Sequence, residues 1–124
     1  MAFGNTFDKT SATYTHAKKV WREIRHQYPG GGRITNVSAW VSKGVIPAGT
    51  PVTFDINAKT VVALTAVSAD TVVNGYTQED ARILDANTVA TATVIYDGEL
   101  YAHMYKPADV TILASKVPGV KFVD

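Results

Sequence analysis

Short runs of alternating apolar and polar residues fill the C-terminal two-thirds of the chain. Residues 88–96 show the alternation most clearly, and residues 50–56 and 60–66 are further strand candidates, since a period of two is the pattern of a half-buried β-strand. Glycine and proline turn signals separate such runs roughly every 8–12 residues, as in small barrels and sandwiches. The pattern therefore predicts a mainly β fold with a small β-barrel domain.

Turn residues and shorter runs predict further elements. Asn74-Gly75 is a tight-turn dipeptide, and Asp97-Gly98 predicts a β-hairpin that joins residues 88–96 to residues 99–105. Residues 34–41 and 120–123 are also strand candidates, and residues 109–115 form either a strand or one short helix.

Residues 16–28 carry a different pattern. Their apolar side chains recur at helical spacing on one face: Val20, Trp21, Ile24 and Tyr28. Cations fill most of the other positions: Lys18, Lys19, Arg22 and Arg25. We predict one short amphipathic helix, which ends at Pro29 and the glycines after it. Alternation also permits a strand, with one side formed by Val20, Ile24, His26 and Tyr28.

The first 15 residues are rich in Thr, Ser and Asn and hold three spaced aromatic residues, Phe3, Phe7 and Tyr14. Such a segment is too polar to build a core alone, so we interpret it as an extended arm that orders only against a partner. We interpret Gly30-Gly31-Gly32 as a flexible hinge. The chain then divides into residues 1–32, with arm, basic segment and hinge, and residues 33–124, the β-domain.

Composition agrees with one β-rich domain. The chain has 124 residues, among them 16 Val, 7 Ile and 15 Thr against 4 Leu, and β-branched residues favour strands. It has no cysteine, which excludes disulfides, zinc ribbons and cysteine nucleophiles. No apolar run approaches the ~18 residues that span a membrane, and the N-terminus lacks a signal-peptide pattern. We therefore expect a protein made in the cytoplasm.

The formal net charge of +1 is unevenly distributed. Residues 1–33 carry a net charge of +4 and residues 34–124 a net charge of −3. A total near zero argues against a dedicated nucleic-acid binder, because phosphate neutralisation supplies most of the affinity in that class. Either the N-terminal third docks on an acidic or polypeptide partner, or its cations form an ordinary solvated surface.

The residue pattern does not indicate catalysis or metal binding. The histidines lack metal-ligand spacing: His16, His26 and His103. The clustered carboxylates match neither an acid–base pair nor a calcium loop: Glu79, Asp80, Asp85, Asp97 and Glu99. The glycines before Arg33 lack the strand-then-helix context of a phosphate-binding loop. We expect no enzyme, no cofactor, no metal and no small-molecule substrate.

Four segments in about residues 40–124 resemble the small head decoration proteins of tailed bacteriophages. They are Gly44–Val52 (GVIPAGTPV), Val73–Ile83 (VNGYTQEDARI), Ala90–Tyr101 (ATATVIYDGELY) and Val117–Val123 (VPGVKFV). The family shows a similar Ala-Gly-Thr opening, a Gly-aromatic segment, a glycine-containing hairpin and a closing Pro-Gly-Ile-x-Phe. Most of these motifs are turn signals and strand edges.

The resemblance implies a small tulip-like β-barrel that binds as a homotrimer on an assembled capsid, without catalysis or cofactor. It also implies an N-terminal arm that orders against the major capsid protein, often by strand addition. We therefore predict a structural virion protein on the capsid exterior that stabilises the shell. The residues expected to bind the capsid are Phe3, Phe7, Tyr14, Lys18, Lys19, Arg22 and Arg25.

A second hypothesis is a binding module of a phage fibre or tail that recognises a carbohydrate or a receptor. Exposed aromatic side chains would then form a sugar-binding platform: Tyr76, Tyr101 and Tyr105. The expected partner is the capsid or a glycan, and neither a nucleic acid nor a membrane.

Overall fold

The computed structural model describes residues 20–124. These residues form ten β-strands, one α-helix and two short 3-10 helices. The strands are β1 (Trp21–Gln27), β2 (Gly32–Ile34), β3 (Val45–Ile46), β4 (Pro51–Asp55), β5 (Thr60–Ala63), β6 (Gly75–Thr77), β7 (Ala81–Arg82), β8 (Thr91–Ala92), β9 (Val94–Tyr101) and β10 (Val120–Val123). Helix α1 spans Pro107–Leu113, and the 3-10 helices span Val37–Trp40 and Ala102–Met104.

Eight of the strands form one curled sheet in the order β1-β9-β6-β4-β5-β2-β8, with β10 added parallel to β9. β3 and β7 pair separately. Only Thr93 separates β8 from β9 along the chain. β8, the last strand in the sheet order, is therefore followed along the chain by β9, which lies near the other end of that order. This connection brings the two ends of the sheet towards each other, and the sheet curls into a half-barrel. The predicted mainly β, barrel-like fold is confirmed.

β4 and β5 form a regular antiparallel pair. Their register places Val52 opposite Ala63 and Phe54 opposite Val61, and all four side chains are buried. The residues between them are more exposed, so the alternation in the sequence becomes an alternation between two faces of the sheet. The strands predicted at residues 50–56 and 60–66 are confirmed, although each is shorter than predicted.

Two hydrophobic cores lie on the two faces of the sheet. The barrel core consists of Ile34, Val37, Trp40, Ile46, Val52, Phe54, Val61, Ala63, Ile83, Ala90 and Val94. The flank core consists of Val20, Trp21, Val73, Tyr76, Ile95, Leu100, Leu113, Val117 and Val120. Successive residues of a strand point to opposite faces. Val94 accordingly belongs to the barrel core and Ile95 to the flank core, so β9 connects the two.

Residues 21–27 form strand β1, and the amphipathic helix predicted over residues 16–28 is wrong there. β1 pairs antiparallel with β9, but the register is irregular at three points. Arg22 and Arg25 of β1 lack counterparts on β9, and Tyr96 of β9 lacks one on β1. Each extra residue makes a β-bulge. The two inward-facing residues Trp21 and Ile24 consequently lie three positions apart instead of two. The bulge therefore gives the apolar residues of this strand a spacing that resembles that of a helix.

Gly30-Gly31-Gly32 forms a tight connection, and the predicted flexible hinge is wrong. Gly30 and Gly31 adopt positive φ angles of 79° and 58°, which favour glycine. A Cβ atom on Gly32 would lie 2.9 Å from the Lys59 carbonyl oxygen and from the Phe54 ring. The glycines join β1 to β2 within one sheet, so the boundary predicted after residue 32 falls inside the β-domain.

β9 runs through Asp97-Gly98 without a turn, and the predicted hairpin is wrong. Gly98 lies opposite Ile24, and a Cβ atom on Gly98 would meet the Glu23 carbonyl oxygen at 2.5 Å. A dipeptide that is typical of a tight turn therefore serves to let the backbone of β1 approach β9 closely.

Asn74-Gly75 is also not a tight turn, because Gly75 begins β6. The Asn74 carboxamide accepts a hydrogen bond from Phe54 N at 2.6 Å and donates one to Phe54 O at 2.8 Å. Asn36 bonds Ala63 in the same way, at 3.0 Å and 2.6 Å. Each carboxamide satisfies backbone groups where a neighbouring strand is missing.

The remaining predictions concern three short segments. The strand predicted at residues 34–41 is wrong beyond Ile34, because the chain turns at Asn36 into the first 3-10 helix. Residues 109–115 are mainly helical, in α1, which begins with Pro107 at a position where its missing N–H costs nothing. The strand predicted at residues 120–123 is confirmed as β10.

Candidate partner-binding surface

β1 lies at one end of the sheet, and within residues 20–124 no strand pairs with its outer edge. Its inner side is firmly anchored. The Trp21 indole is buried, donates from Nε1 to the Thr77 carbonyl oxygen at 3.0 Å, and packs edge-on against Tyr76 with ring centroids 6.4 Å apart. Residues 1–19 precede this strand directly. β1 thus joins the N-terminal segment to the flank core.

The solvent side of β1 and β9 carries a group of charged and titratable side chains, which we call the seam cluster: Arg22, Glu23, Arg25, His26, Asp97 and Glu99. Arg22 pairs with Glu99. Arg25 reaches two glutamates, with its Nη1 atom 3.1 Å from Glu23 Oε1 and 3.7 Å from Glu99 Oε2. The two bulge residues are therefore the cations that bind across to the neighbouring carboxylates.

Asp97 binds two residues of the seam cluster, one with each of its carboxylate oxygens. Its Oδ2 lies 2.7 Å from His26 Nδ1, and its Oδ1 accepts a hydrogen bond from Arg25 Nε at 3.0 Å. The hydrogen bonds with His26 and Arg25 hold the pKa of Asp97 below its ordinary value of 3.8. The bond to Asp97 also raises the pKa of Arg25. Because these groups are exposed to solvent, each pair contributes little to stability.

The structure describes two of the seven predicted binding residues. Arg22 and Arg25 lie in the seam cluster, where carboxylates accept their hydrogen bonds, so they do not form an unpaired basic stripe. Two guanidinium groups face three carboxylates, so these five side chains together carry a net charge of −1. Five predicted residues lie outside the described residues: Phe3, Phe7, Tyr14, Lys18 and Lys19.

The three tyrosines of the predicted sugar platform do not share an exposed face, and that platform is wrong. Tyr76 is fully buried in the flank core, and burial raises the pKa of its hydroxyl. Tyr105 is partly buried, and its hydroxyl donates to the Gly49 carbonyl oxygen at 2.6 Å. Tyr101 instead packs against His103, with ring centroids 5.6 Å apart.

The other candidate chemical groups have structural partners or stand apart. Asp80 Oδ1 accepts a hydrogen bond from Ala48 N at 2.7 Å, and Asp85 Oδ1 accepts one from Asn87 N at 2.8 Å. Within residues 20–124, no three His, Asp or Glu side chains are grouped as metal ligands would be. In the same part of the chain, none of the helices is long and apolar enough to cross a membrane.

A groove of about 390 Å³ lies beside the start of β1, and sequence reasoning did not find it. Residues 47–51, Met104 and Tyr105 line this groove. Val20 and Trp40 also line the groove, and Asp80 is the one charged residue among the described residues on its walls.

A type II turn shapes this groove. Thr50 N donates to the Pro47 carbonyl oxygen at 3.3 Å, and Gly49 has a φ of 80°, as the third residue of such a turn requires. Gly49 N donates to the Thr77 carbonyl oxygen at 2.8 Å, and Tyr105 fixes the Gly49 carbonyl. Pro47 and Gly49 signal a turn in the sequence, but a contact to a side chain 56 residues away leaves no local signal.

Comparison with known proteins does not assign a family. The chain matches no family model, no curated protein and no solved structure at a significant level.

Proposed function

We propose that this protein is a structural virion protein that decorates a bacteriophage capsid from the outside. Its N-terminal arm would bind the major capsid protein, and the β-domain would reinforce the shell. The resemblance of about residues 40–124 to head decoration proteins supports the proposal. The structural observation that carries it is the direct entry of the N-terminal segment into the edge strand β1.

This connection suits a protein that links capsid subunits. β1 has seven residues and pairs with β9 along its length. Its first residue, Trp21, is packed in the flank core. A load that reaches the start of β1 would therefore be passed to the sheet. An arm that binds one subunit and a domain that rests on another would hold the two together.

The roles of the predicted residues divide accordingly. Contact with the capsid falls to the arm aromatics Phe3, Phe7 and Tyr14, and to Lys18 and Lys19. Arg22 and Arg25 instead pair with the carboxylates of β9 in the seam cluster. They position the arm and need not touch the capsid.

The test uses shells assembled from the major capsid protein of the same genome. Full-length protein is mixed with the shells, and bound and free protein are separated by sedimentation. We expect the variant F3A/F7A/Y14A to bind at least about tenfold more weakly, which a loss of about 1.4 kcal/mol produces. The matched control V72A/L84A/V89A removes three exposed apolar side chains of the β-domain and should bind like the unchanged protein.

Two results would count against this function. Absence of the full-length protein from the sedimented shells contradicts capsid decoration. Equal binding by the arm variant and the unchanged protein contradicts the role of the arm. Native mass spectrometry tests the proposed homotrimer, and a single mass near 13.3 kDa contradicts it.

A further inference from the structure

The groove beside β1 opens where the N-terminal segment joins the domain. Val20 lies on the groove wall, and its carbonyl oxygen accepts a hydrogen bond from Tyr101 N at 2.9 Å. Its side chain packs closely on Gly49, because a Cβ atom placed on that glycine would lie 2.6 Å from Val20 Cγ1. Val20, the first residue that the structure describes, is therefore held in place at the groove.

The chemistry of the groove is complementary to that segment. The walls are mainly apolar, with Trp40, Leu64 and Met104 among them. Their one charge is the carboxylate of Asp80, which accepts a hydrogen bond from Ala48 N and has lone pairs for another donor. The segment offers an aromatic side chain at Tyr14 and cations at Lys18 and Lys19, immediately before Val20.

The connection also favours this occupant over any other. Each residue of an extended chain spans up to about 3.3–3.6 Å, so the five residues 15–19 are long enough to let Tyr14 reach the groove beside Val20 after one reversal of direction. A segment tethered this closely has an effective concentration of the order of millimolar. A separate molecule with the same side chains lacks this advantage.

We propose that the groove is the docking site of the chain's own N-terminal segment, with Tyr14 in its apolar part and Lys18 or Lys19 against Asp80. The contact concerns the free protein and does not depend on the capsid function proposed above. One consequence is regulatory. A partner that binds the same segment has to displace it from the groove. The apparent affinity of that partner is then its intrinsic affinity multiplied by the fraction of chains that are not docked.

The absence of cysteine from the chain makes a direct test possible. A single cysteine is introduced by T13C into the full-length protein and coupled to a nitroxide. Amide signals are compared in 15N-labelled protein before and after reduction of the nitroxide. We expect strong broadening at the groove residues Ala48, Leu64 and Met104. Asn57, in the β4–β5 turn, should be unaffected.

Variants then separate the two parts of the contact. Y14A should abolish most of the broadening. D80N keeps an oxygen that can accept from Ala48 N but removes the charge, and should reduce the broadening a few-fold, as expected for one exposed ion pair. F3A removes an arm aromatic that the proposal does not use and is the matched control, with broadening unchanged.

Three results overturn the proposal. They are an unbroadened groove in the full-length protein, a Y14A variant that behaves like F3A, and broadening that arises only between molecules. The last is measured by mixing 15N-labelled protein without nitroxide with unlabelled T13C protein that carries it. If the mixture shows groove broadening strong enough to account for that of the doubly labelled protein, the occupant belongs to a second copy.

Discussion

The barrel core and the flank core differ in the strand pairing that supports them. The barrel core rests on β4 and β5, whose residues pair one to one. The flank core rests on β1 and β9, whose register slips twice on β1, at Arg22 and Arg25. The bulges bring two cations to the carboxylates of β9 and bend an edge strand that would otherwise invite further pairing. Regular pairing builds the barrel, whereas irregular pairing builds the side that leads to the N-terminal segment.

The two cores are nevertheless one structure, because β9 contributes to both. Val94 and Ile95 are adjacent along the chain and lie in different cores, each fully buried. Loosening one core therefore disturbs the strand that the other core needs. We expect the domain to unfold in a single cooperative transition.

The largest expected effects come from emptying each core in turn. F54A removes a ring from the barrel core and should cost about 3–5 kcal/mol, and L100A in the flank core should cost about 2–5 kcal/mol. Urea unfolding followed by both tryptophan fluorescence and circular dichroism measures these losses. V62A, at a more exposed position of β5, is the control and should change stability by less than about 0.5 kcal/mol. Two separate transitions in L100A would contradict the cooperative link through β9.

The second-largest loss of stability should come from adding a methyl group between β1 and β9. G98A places a Cβ atom 2.5 Å from the Glu23 carbonyl oxygen, and we expect a loss of about 1–3 kcal/mol through displacement of β1. G44A is the control, because Gly44 has a φ of 75° and open space around its Cβ position. Its cost of about 1 kcal/mol reports the backbone strain alone. Amide hydrogen exchange should show faster opening of β1 in G98A, and uniform protection in both variants would contradict the role of Gly98.

Loss of a carboxamide tests the barrel side. N74A leaves Phe54 N and Phe54 O without their side-chain partner, and unpaired, partly buried backbone groups cost about 1–3 kcal/mol. N57A removes an exposed asparagine from the β4–β5 turn and should have little effect. Thermal unfolding of the two variants gives the comparison. Equal melting temperatures would mean that water replaces the Asn74 carboxamide without loss.

The smallest effect concerns the charges of the seam cluster. Folding lowers the pKa of Asp97 below 3.8, so its contribution to stability is present above that value and is lost as the pH falls through the folded-state pKa. The melting temperature of D97N should therefore be slightly lower than that of the unchanged protein at neutral pH, and the difference between the two should vanish in strong acid. D70N changes an exposed carboxylate elsewhere and serves as the control. A difference that grows on acidification would have the wrong sign for this cluster.

The candidate surface was only partly accessible to sequence reasoning. The concentration of cations in residues 16–28 was visible, and two of them, Arg22 and Arg25, do lie on the exposed edge strand. Glu23 lies two positions from Arg25, but the partners on β9, Glu99 and Asp97, are more than 70 positions away. The sequence therefore did not show that carboxylates pair with both arginines. The groove likewise depends on Tyr105 reaching Gly49 across the fold.

The sequence by itself determined the β-rich fold and the strand pair β4–β5 of the barrel core, because the alternation in residues 51–55 and the β-branched residues Val61 and Val62 both favour strands. Only the tertiary structure decided that residues 21–27 form a strand, that Asp97-Gly98 lies inside β9, and that three glycines make a tight connection. A bulge changes the apolar period from two towards that of a helix, and a glycine required for close approach looks the same as one required for a turn. Both distinctions depend on the neighbouring strand, which local sequence does not contain.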